Sequence, residues 1–359
     1  MEAVSFLRAI VAGAIVLGVL VLVHEWGHFI AAKLCGVRVD VFSIGFGNRL
    51  WGVKRGDTDY RISALPLGGY VRMAGDNPVE ERTGAPYEFL SRPRWQRFLI
   101  AIAGPATNIA LTFLIFWVLY ASVSLPYVPP TIEQVESGSA ADKAGLKSGD
   151  TLFSIDGKSV DTLAESVAAI RHSGGRPILF VVGRDSKELQ LTIAPVQMKS
   201  PDSGDMAWMI GAIIGDSQQS RPRDGVIRGA KHAGRETIYE TQQIGEVLVG
   251  LFDGKVSVHD LAGPVGIVQL SGEAAKSGPM TLLELTAAIS LNLGLLNLLP
   301  IPILDGGHVL MLAIEGLLRR ELSITFKERF VQVGLVFLLS VFAFVMYSDI
   351  LRVIQTRGR

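Results

Sequence analysis

The residues with the clearest chemical potential lie near the start of the chain, where Glu25 and two histidines form the sequence His24-Glu25-Trp26-Gly27-His28. Residues four apart in a helix project from the same face about one turn apart, so both imidazoles can direct a nitrogen at one ion. Zinc hydrolases use this arrangement: the histidines bind the metal, and the glutamate activates a water and carries its proton to the leaving amine. We therefore predict a zinc site with Glu25 as the catalytic general base and acid.

A catalytic zinc ion takes three protein ligands and leaves one position open, so the histidine pair needs a third partner. The acid most out of place in an apolar segment is Asp305, which follows the sequence Asn-Leu-Leu-Pro-Ile-Pro-Ile-Leu that begins at Asn297. Ionisable groups at hydrocarbon depth are costly unless they are paired or bind a metal, and they mark functional sites by default. Asp305 is therefore the candidate third ligand.

The composition indicates that lipid surrounds much of the chain. Of 359 residues 49% are hydrophobic and 19% charged, and the mean hydropathy is +0.37, which is too apolar for an ordinary soluble protein. Lys plus Arg equal Asp plus Glu at 34 each, so no excess of positive charge favours a nucleic-acid partner. Cys35 is the only cysteine, which excludes an intramolecular disulfide and a cysteine-based metal cluster.

Three continuous apolar runs exceed the roughly 20 residues that a bilayer core requires. They are about Phe6–Leu34, Phe98–Leu125 and Phe330–Ile354. A fourth span is predicted between Met280 and Leu318, where polar residues and prolines interrupt the apolar run at Asn292, Asn297, Pro300 and Pro302. At membrane depth, non-helical backbone is tolerated only where neighbouring protein forms hydrogen bonds with the N–H and C=O groups that the helix leaves unpaired. This interruption therefore indicates a functional site.

Lysine and arginine are concentrated in residues 33–97 and 319–329, which predicts that both links are cytoplasmic and that residues 126–278 lie on the opposite side. Within the first link, residues 37–73 alternate apolar and polar side chains around several glycines. This pattern predicts short strands and tight turns. They form either a cytoplasmic hairpin or a membrane-associated sheet that meets substrate.

Residues 130–195 have the pattern of a small soluble domain, with strand-like runs and a helix near 162–171. The sequence Ala-Gly-Leu-Lys-Ser-Gly-Asp at 144–150, followed by Ile155-Asp156-Gly157, resembles a PDZ domain. Domains of this class bind extended peptides by adding a strand to a sheet edge.

The predicted fold class is a polytopic α-helical membrane protein with about four transmembrane helices, a membrane-associated β-sheet and one extramembrane PDZ domain of the α+β type. The predicted divisions are an N-terminal membrane half at 1–125, the PDZ domain at 126–197, a linker with an amphipathic helix at 198–278, and a C-terminal membrane half at 279–359. The amphipathic helix is expected over 236–251, after a polar linker at 217–225.

Taken together, these motifs resemble the site-2 protease family of intramembrane zinc metalloproteases, peptidase family M50. The match is closest to its bacterial branch, the regulator-of-sigma-E protease. It rests on His24 to His28, the block Asn297 to His308 and the interposed PDZ-like domain, in that order. Gly104-Pro105-Ala106-Thr107-Asn108 and Gly263-Pro264-Val265-Gly266 also look like family sequences. Well-known bacterial members carry two tandem PDZ domains, whereas this chain shows the sequence of one.

By resemblance, zinc is the cofactor with His24, His28 and Asp305 as ligands, and Glu25 is the acid and base. Substrate-binding residues would be Asn292, Asn297, Pro300 and Pro302. The resemblance further implies a bacterial inner-membrane enzyme with its PDZ domain on the non-cytoplasmic side. Its partners would be the lipid bilayer and single-span substrates already cut by another protease, of the anti-sigma factor or remnant signal peptide type.

Alternatives remain open at this point. A metal transporter would also place His and Asp in membrane spans, but it predicts several ion sites along a polar path. A PDZ scaffold with an inactive protease fold would be expected to lack Glu25 or a ligand. Asn108 is either a buried polar residue or has a role in gating, and His308 is expected to pack near the site rather than bind the metal. Three further histidines receive no chemical role: His172, His232 and His259.

Overall fold

The computed structural model describes residues 2–76, 83–123, 126–127, 130–160, 163–185, 187–199, 206–215, 219–220, 225–254 and 263–357. The chain forms two compact units. The larger combines Met1–Ser122 with Asp224–Arg359, and the smaller is Val123–Arg223.

The larger unit contains most of the helices and a curled sheet. Its helices are α1 (Glu2–Leu34), α2 (Arg94–Ser122), α5 (Gly225–Phe252), α6 (Pro264–Ser277), α7 (Pro279–Asn297), α8 (Asp305–Leu318) and α9 (Ile324–Arg357). A short 3-10 turn, Phe89–Ser91, precedes α2. The sheet is built from β1 (Val39–Arg55) and β2 (Thr58–Met73).

Four helices of the described chain are long and apolar enough to cross a membrane, which confirms that prediction. They cover Leu7–Leu34, Arg94–Ser122, Pro279–Asn297 and Ile324–Asp349. The interrupted fourth segment divides into two helices, since α7 ends at Asn297 and α8 begins at Asp305. Pro300 and Pro302 fall in the break, where proline removes a backbone donor and disfavours helix in the preceding residue.

Small residues allow α2 to approach α1 and α7 closely. A Cβ on Gly27 of α1 would lie 2.5 Å from the Ala103 carbonyl oxygen of α2. On the other side of α2, the Thr112 hydroxyl donates to the Ala287 carbonyl of α7 at 2.9 Å. Close backbone approach and hydroxyl hydrogen bonds are the means by which helices associate in lipid. Helix α2 therefore joins the first span to the broken one.

The two strands of residues 39–73 fold back on themselves. Val39–Ile44 pair with Gly69–Met73, Arg49–Arg55 pair with Thr58–Ser63, and 41–44 also pair with 59–62. Gly45 and Gly68 have φ values of 90° and 121°, which residues with a side chain rarely adopt, so glycine permits the bends. This segment forms a sheet, as its alternating pattern predicts, but with two long, bent strands rather than short ones.

The smaller unit contains a six-stranded sheet made of β4 (Thr131–Val135), β5 (Thr151–Ile155), β6 (Lys158–Ser159), β7 (Ile178–Arg184), β8 (Lys187–Ile193) and β11 (Ala212–Gly215). The strand order is β11-β4-β5-β7-β8, with β6 paired to β5. Two further strand pairs join β3 (Pro126–Tyr127) to β12 (Gln219–Ser220) and β9 (Val196–Lys199) to β10 (Met206–Met209). Helices α3 (Ala140–Lys143) and α4 (Leu163–Arg171) complete it, and Phe180 and Val182 are fully buried in its core.

The smaller unit extends past the boundary expected at residue 197. Strand β11 pairs with β4, so residues 212–215 belong to its sheet rather than to a linker. Of the polar linker expected at 217–225, Gln219–Ser220 form β12 and Gly225 begins α5, whereas 217–218 and 221–224 lie outside the described residues. Thr162, where the helix now seen as α4 was expected to begin, also lies outside them.

Helix α5 starts earlier than the helix expected at 236–251 and packs along α2. The Trp117 indole N–H donates to the Val226 carbonyl at 2.9 Å, and the Tyr120 hydroxyl donates to the Glu236 carboxylate at 3.2 Å. A Cβ on Gly229 would lie 2.9 Å from the Ala121 amide nitrogen. The helix is thus a packing helix along its first turns.

A buried carboxylate on α9 caps the start of α6. Asp349 is 2% exposed and accepts the backbone N–H groups of Gly263 at 3.1 Å and Gly266 at 3.0 Å. The cap residue Gly263 has no side chain to satisfy these donors itself. A carboxylate at a helix N-terminus also faces the positive end of the helix dipole. Asp349 therefore attaches the last span to α6.

Replacing Asp349 with Ala should destabilise the larger unit, because two buried amide donors would lose a charged acceptor. We expect a loss of about 2 kcal/mol and a lower unfolding temperature for purified protein in detergent. Asp349→Asn, which keeps one acceptor, should lose less. Ser340→Ala is the matched control on the same helix, since that hydroxyl donates only to its own helix at Val336. Equal unfolding temperatures for Asp349→Ala and Ser340→Ala would contradict the capping role.

Candidate metal centre

Two helices from opposite ends of the chain bring three ligand atoms together. His24 and His28 lie one turn apart on α1, and both are at least nine-tenths buried. Asp305 is the first residue of α8. The His24 Nε2 atom is 3.0 Å from Asp305 Oδ2 and 3.2 Å from His28 Nε2, which is 3.4 Å from Asp305 Oδ1. Within the described residues, these three form the one cluster of His, Cys, Asp or Glu close enough to hold a metal ion.

The separations between the two histidine nitrogens and the two Asp305 oxygens are close to those between ligand atoms in a tetrahedral zinc site. Zinc binds imidazole nitrogen and carboxylate oxygen at about 2.0–2.2 Å, so two ligand atoms on a tetrahedron lie about 3.3–3.5 Å apart. The observed separations of 3.0, 3.2 and 3.4 Å are close to this value. The donor set of two imidazoles and one carboxylate also matches that of catalytic zinc. The side chains therefore fit zinc as they stand.

The space in front of the histidines exists because α2 has a glycine there. A Cβ on Gly104 would overlap His28 Nε2 and lie 2.8 Å from His24 Nε2. Any side chain at this position would therefore occupy the volume on which the ligand atoms converge. The glycine is needed for room rather than for a special backbone angle.

The hydrogen bond made by His28 fixes which of its nitrogens can bind a metal. His28 Nδ1 lies 2.7 Å from the Ile100 carbonyl oxygen of α2. A carbonyl can only accept, so Nδ1 carries the proton and Nε2 presents a lone pair to the cluster. At His24, the corresponding Nδ1 atom lies 3.3 Å from the Asn108 side-chain amide.

Glu25 faces the same cavity as the proposed ligands. The cavity has a volume of about 650 Å³, and His24, Glu25, His28 and Asp305 are among its lining residues. The Glu25 carboxylate accepts a backbone N–H from Val71 of β2. A second wall of the cavity is the β2 backbone, at residues 68–71. Glu25 and residues 68–71 of β2 thus face one cavity.

The proposed substrate-binding residues do not all reach this cavity. Asn297 lines it. Asn292 is not among the lining residues; it is exposed, and its amide donates to the Ala288 carbonyl of its own helix at 3.0 Å. The two prolines are also absent from the lining, and Pro302 instead packs on α9, where a Cβ on Gly334 would lie 2.7 Å from the Pro302 carbonyl oxygen. The arrangement therefore favours Asn297 as a substrate contact and gives no such support to the other three.

His308 lines the cavity but is not part of the three-residue cluster, in agreement with the expectation that it is not a ligand. Of the three histidines to which the sequence analysis assigns no chemical role, His172 donates its Nδ1 proton to the Ala168 carbonyl of α4 at 2.8 Å, and His232 packs against Tyr120. His259 lies outside the described residues.

Three groups at the site received no role from the sequence. They are the Ile100 carbonyl, the Val71 N–H and Gly104. Backbone groups leave no trace in residue types, so the first two could not have been found. Gly104 could have been suspected, since a glycine four residues before Asn108 in an apolar helix suggests a close approach.

Comparison with known proteins gives a match over most of the chain. A family model described as "Peptidase family M50" matches residues 12–341. A protein of Mesorhizobium japonicum that carries "zinc metalloprotease" in its name is 34% identical, covering 96% of this chain and 99% of its own length. "Metalloprotease MmpA" of Caulobacter vibrioides is 32% identical over 97% of both chains.

Among solved structures, the PDZ domain of the SdrC-like protein of Listeria monocytogenes is similar to part of the chain. The alignment has 19% identity and a TM-score of 0.22, and it covers 26% of this chain and 93% of that one.

Adding one methyl group at Gly104 should abolish metal binding, because the Cβ would occupy the space where the ligand atoms converge. We expect Gly104→Ala to reduce the zinc content of purified protein at least tenfold, roughly the effect of disturbing a ligand's surroundings. Gly18→Ala on α1 is the control, since a Cβ there meets no atom within 4 Å. Normal zinc content in Gly104→Ala would show that the ion lies elsewhere.

Proposed function

Because the chain belongs to peptidase family M50, we propose that it is an intramembrane zinc metalloprotease that carries out regulated intramembrane proteolysis of single-span membrane proteins. Family membership makes it a zinc-dependent peptidase and a multi-pass membrane protein. The observation that carries the finer proposal is the meeting of His24, His28 and Asp305 beside Glu25 in one cavity.

In this proposal His24 Nε2, His28 Nε2 and one Asp305 oxygen hold the zinc ion. Zinc supplies a Lewis acid that polarises a carbonyl and lowers the pKa of water towards neutrality. Glu25 takes a proton from the attacking water and delivers it to the leaving amine, so the peptide bond gains one water overall. The Glu25 carboxylate faces the cavity beside Val71 of β2.

A helical substrate hides its peptide bonds in internal hydrogen bonds, so it must unwind before it can be cut. We propose that the unwound segment pairs with β2 at residues 68–71, because these residues line the same cavity as the three proposed ligands. Main-chain pairing with a strand edge gives affinity without a strict sequence requirement. The Asn297 amide, on the same cavity, would hold one substrate peptide group.

The finer assignments follow from the family and the charge pattern. We propose that the enzyme lies in a bacterial inner membrane, with residues 33–97 and 319–329 cytoplasmic. The smaller unit would then be a PDZ domain on the other side, where it receives substrates already shortened by another protease. Anti-sigma factors and remnant signal peptides are the substrate types this proposal names.

Replacing Glu25 with Gln should abolish proteolysis and preserve the metal, because the amide cannot accept a proton and the three ligands are untouched. We expect cleavage of a panel of single-span substrates to fall about 10²–10⁴-fold while zinc content stays near wild type. Glu284→Gln is the control, since Glu284 is exposed on α7 and absent from the cavity. Cleavage at the wild-type rate by purified Glu25→Gln would reject the role of Glu25.

The two asparagines of α7 should behave differently. Only Asn297 lines the cavity, so Asn297→Ala should lower kcat/KM about tenfold through one lost hydrogen bond. Asn292→Ala should leave kcat/KM unchanged, because its amide is bound to Ala288. Both variants should keep their zinc. A larger defect in Asn292→Ala than in Asn297→Ala would mean that substrate binds outside this cavity.

A further inference from the structure

Asn108 carries a buried polar atom that has no partner. The residue is fully buried in α2, and its Nδ2 atom lies 3.3 Å from His24 Nδ1. Its Oδ1 atom is also buried and has no hydrogen-bond partner within the described parts of the chain. A buried amide oxygen without a donor is destabilising, so such a group calls for an explanation.

The hydrogen bonds that His24 needs when it binds a metal explain the unpartnered oxygen of Asn108. A histidine that binds an ion through Nε2 carries its proton on Nδ1 and needs an acceptor there. His28 has that acceptor in the Ile100 carbonyl. At His24 the group beside Nδ1 is the Asn108 amide, with its donor end turned towards the ring. Turning this amide by half a rotation would place Oδ1 where Nδ2 now lies.

We infer that Asn108 is a positioning residue whose Oδ1 accepts the His24 Nδ1 proton and keeps Nε2 free for zinc. This inference rests on the proposed ligand set. The amide rotation supplies the missing acceptor to His24 and gives the orphaned oxygen a donor in the same step. Oxygen and nitrogen of an amide have nearly the same shape, so the rotation needs no other movement.

The amide orientation seen in the structure corresponds to the other tautomer of His24. With Nδ2 donating to His24 Nδ1, the ring proton must be on Nε2, where Asp305 Oδ2 accepts it at 3.0 Å. The two orientations of Asn108 therefore correspond to the two tautomers of His24. One tautomer donates to Asp305, and the other leaves both side chains free for the ion.

The backbone of Asn108 is held so that only the amide can turn. Its carbonyl accepts the Ser290 hydroxyl of α7 at 2.9 Å and the Thr112 hydroxyl at 3.1 Å. A Cβ on Gly294 would lie 3.3 Å from the Asn108 Cβ, so the side chain is tightly enclosed. Rotation about the Cβ–Cγ bond is the freedom that remains.

The test measures zinc affinity rather than activity, by chelator competition on the purified full chain in detergent. Asn108→Leu keeps the volume but removes the acceptor, and it should weaken zinc binding about 10–100-fold. Asn108→Asp restores an acceptor and should stay within about threefold of wild type. Ser290→Ala is the matched control, because it removes a hydrogen bond to Asn108 without touching the amide; its affinity should be unchanged. Asn108→Ala replaces the Leu variant if that protein does not fold.

A fifth variant separates this inference from the proposed function. His28→Ala should lose zinc almost completely; if it binds zinc as wild type does, the ligand set itself is wrong. If His28→Ala loses zinc but Asn108→Leu binds it normally, the ligand set stands and the role of Asn108 is overturned. Equal weakening in the Leu and Asp variants, or in Ser290→Ala, would also overturn it, because packing rather than an acceptor would then be the cause.

Discussion

The structure depends on keeping ionisable side chains at a depth where lipid surrounds the helices. An isolated charge or unpaired imidazole there is costly, so such groups persist only when they meet one another or an ion. His24, His28 and Asp305 satisfy this condition jointly, with no ligand atom more than 3.4 Å from the next. Because Asp305 is 281 residues from His24 in sequence, this one requirement ties the first span to the broken late segment.

Helix α2 lies between these segments and contributes to the site from three successive turns. Ile100, Gly104 and Asn108 are spaced four residues apart and share one face of the helix. The first offers a carbonyl to His28, the second offers empty volume, and the third offers an amide to His24. Neither histidine is held by its own helix alone. A group on the opposing helix meets the Nδ1 atom of each ring, an arrangement that is usual around metal-binding imidazoles.

Much of this organisation could be predicted, because charge in an apolar sequence is a strong signal. The histidine pair, Glu25 and Asp305 all stand out for this reason. Their roles as ligands and base remain proposals, although the structure brings them to one cavity. Contacts made by backbone groups, such as that of the Ile100 carbonyl with His28, leave no mark in residue type. The pairing of β11 with β4 was missed because it joins segments about 80 residues apart.

Helix geometry alone could have predicted from the sequence that Asn292 and Asn297 point in different directions. Asn292 and Asn297 are five residues apart in one helix, which separates their directions by about 140° at 100° per residue. Both cannot face the same cavity while α7 stays helical through Asn297. The chain then leaves the helix, and Ile303 adopts a φ of 81°, which is costly for a β-branched residue. That turn lies two residues before Asp305, and the backbone after it is packed so closely that a Cβ on Gly306 or Gly307 would overlap the Leu299 or Ile301 carbonyl oxygen. The strained residue therefore lies where the chain must direct the Asp305 carboxylate back towards α1. The same turn accounts for the geometry of the break between α7 and α8 and for the position of the third proposed ligand.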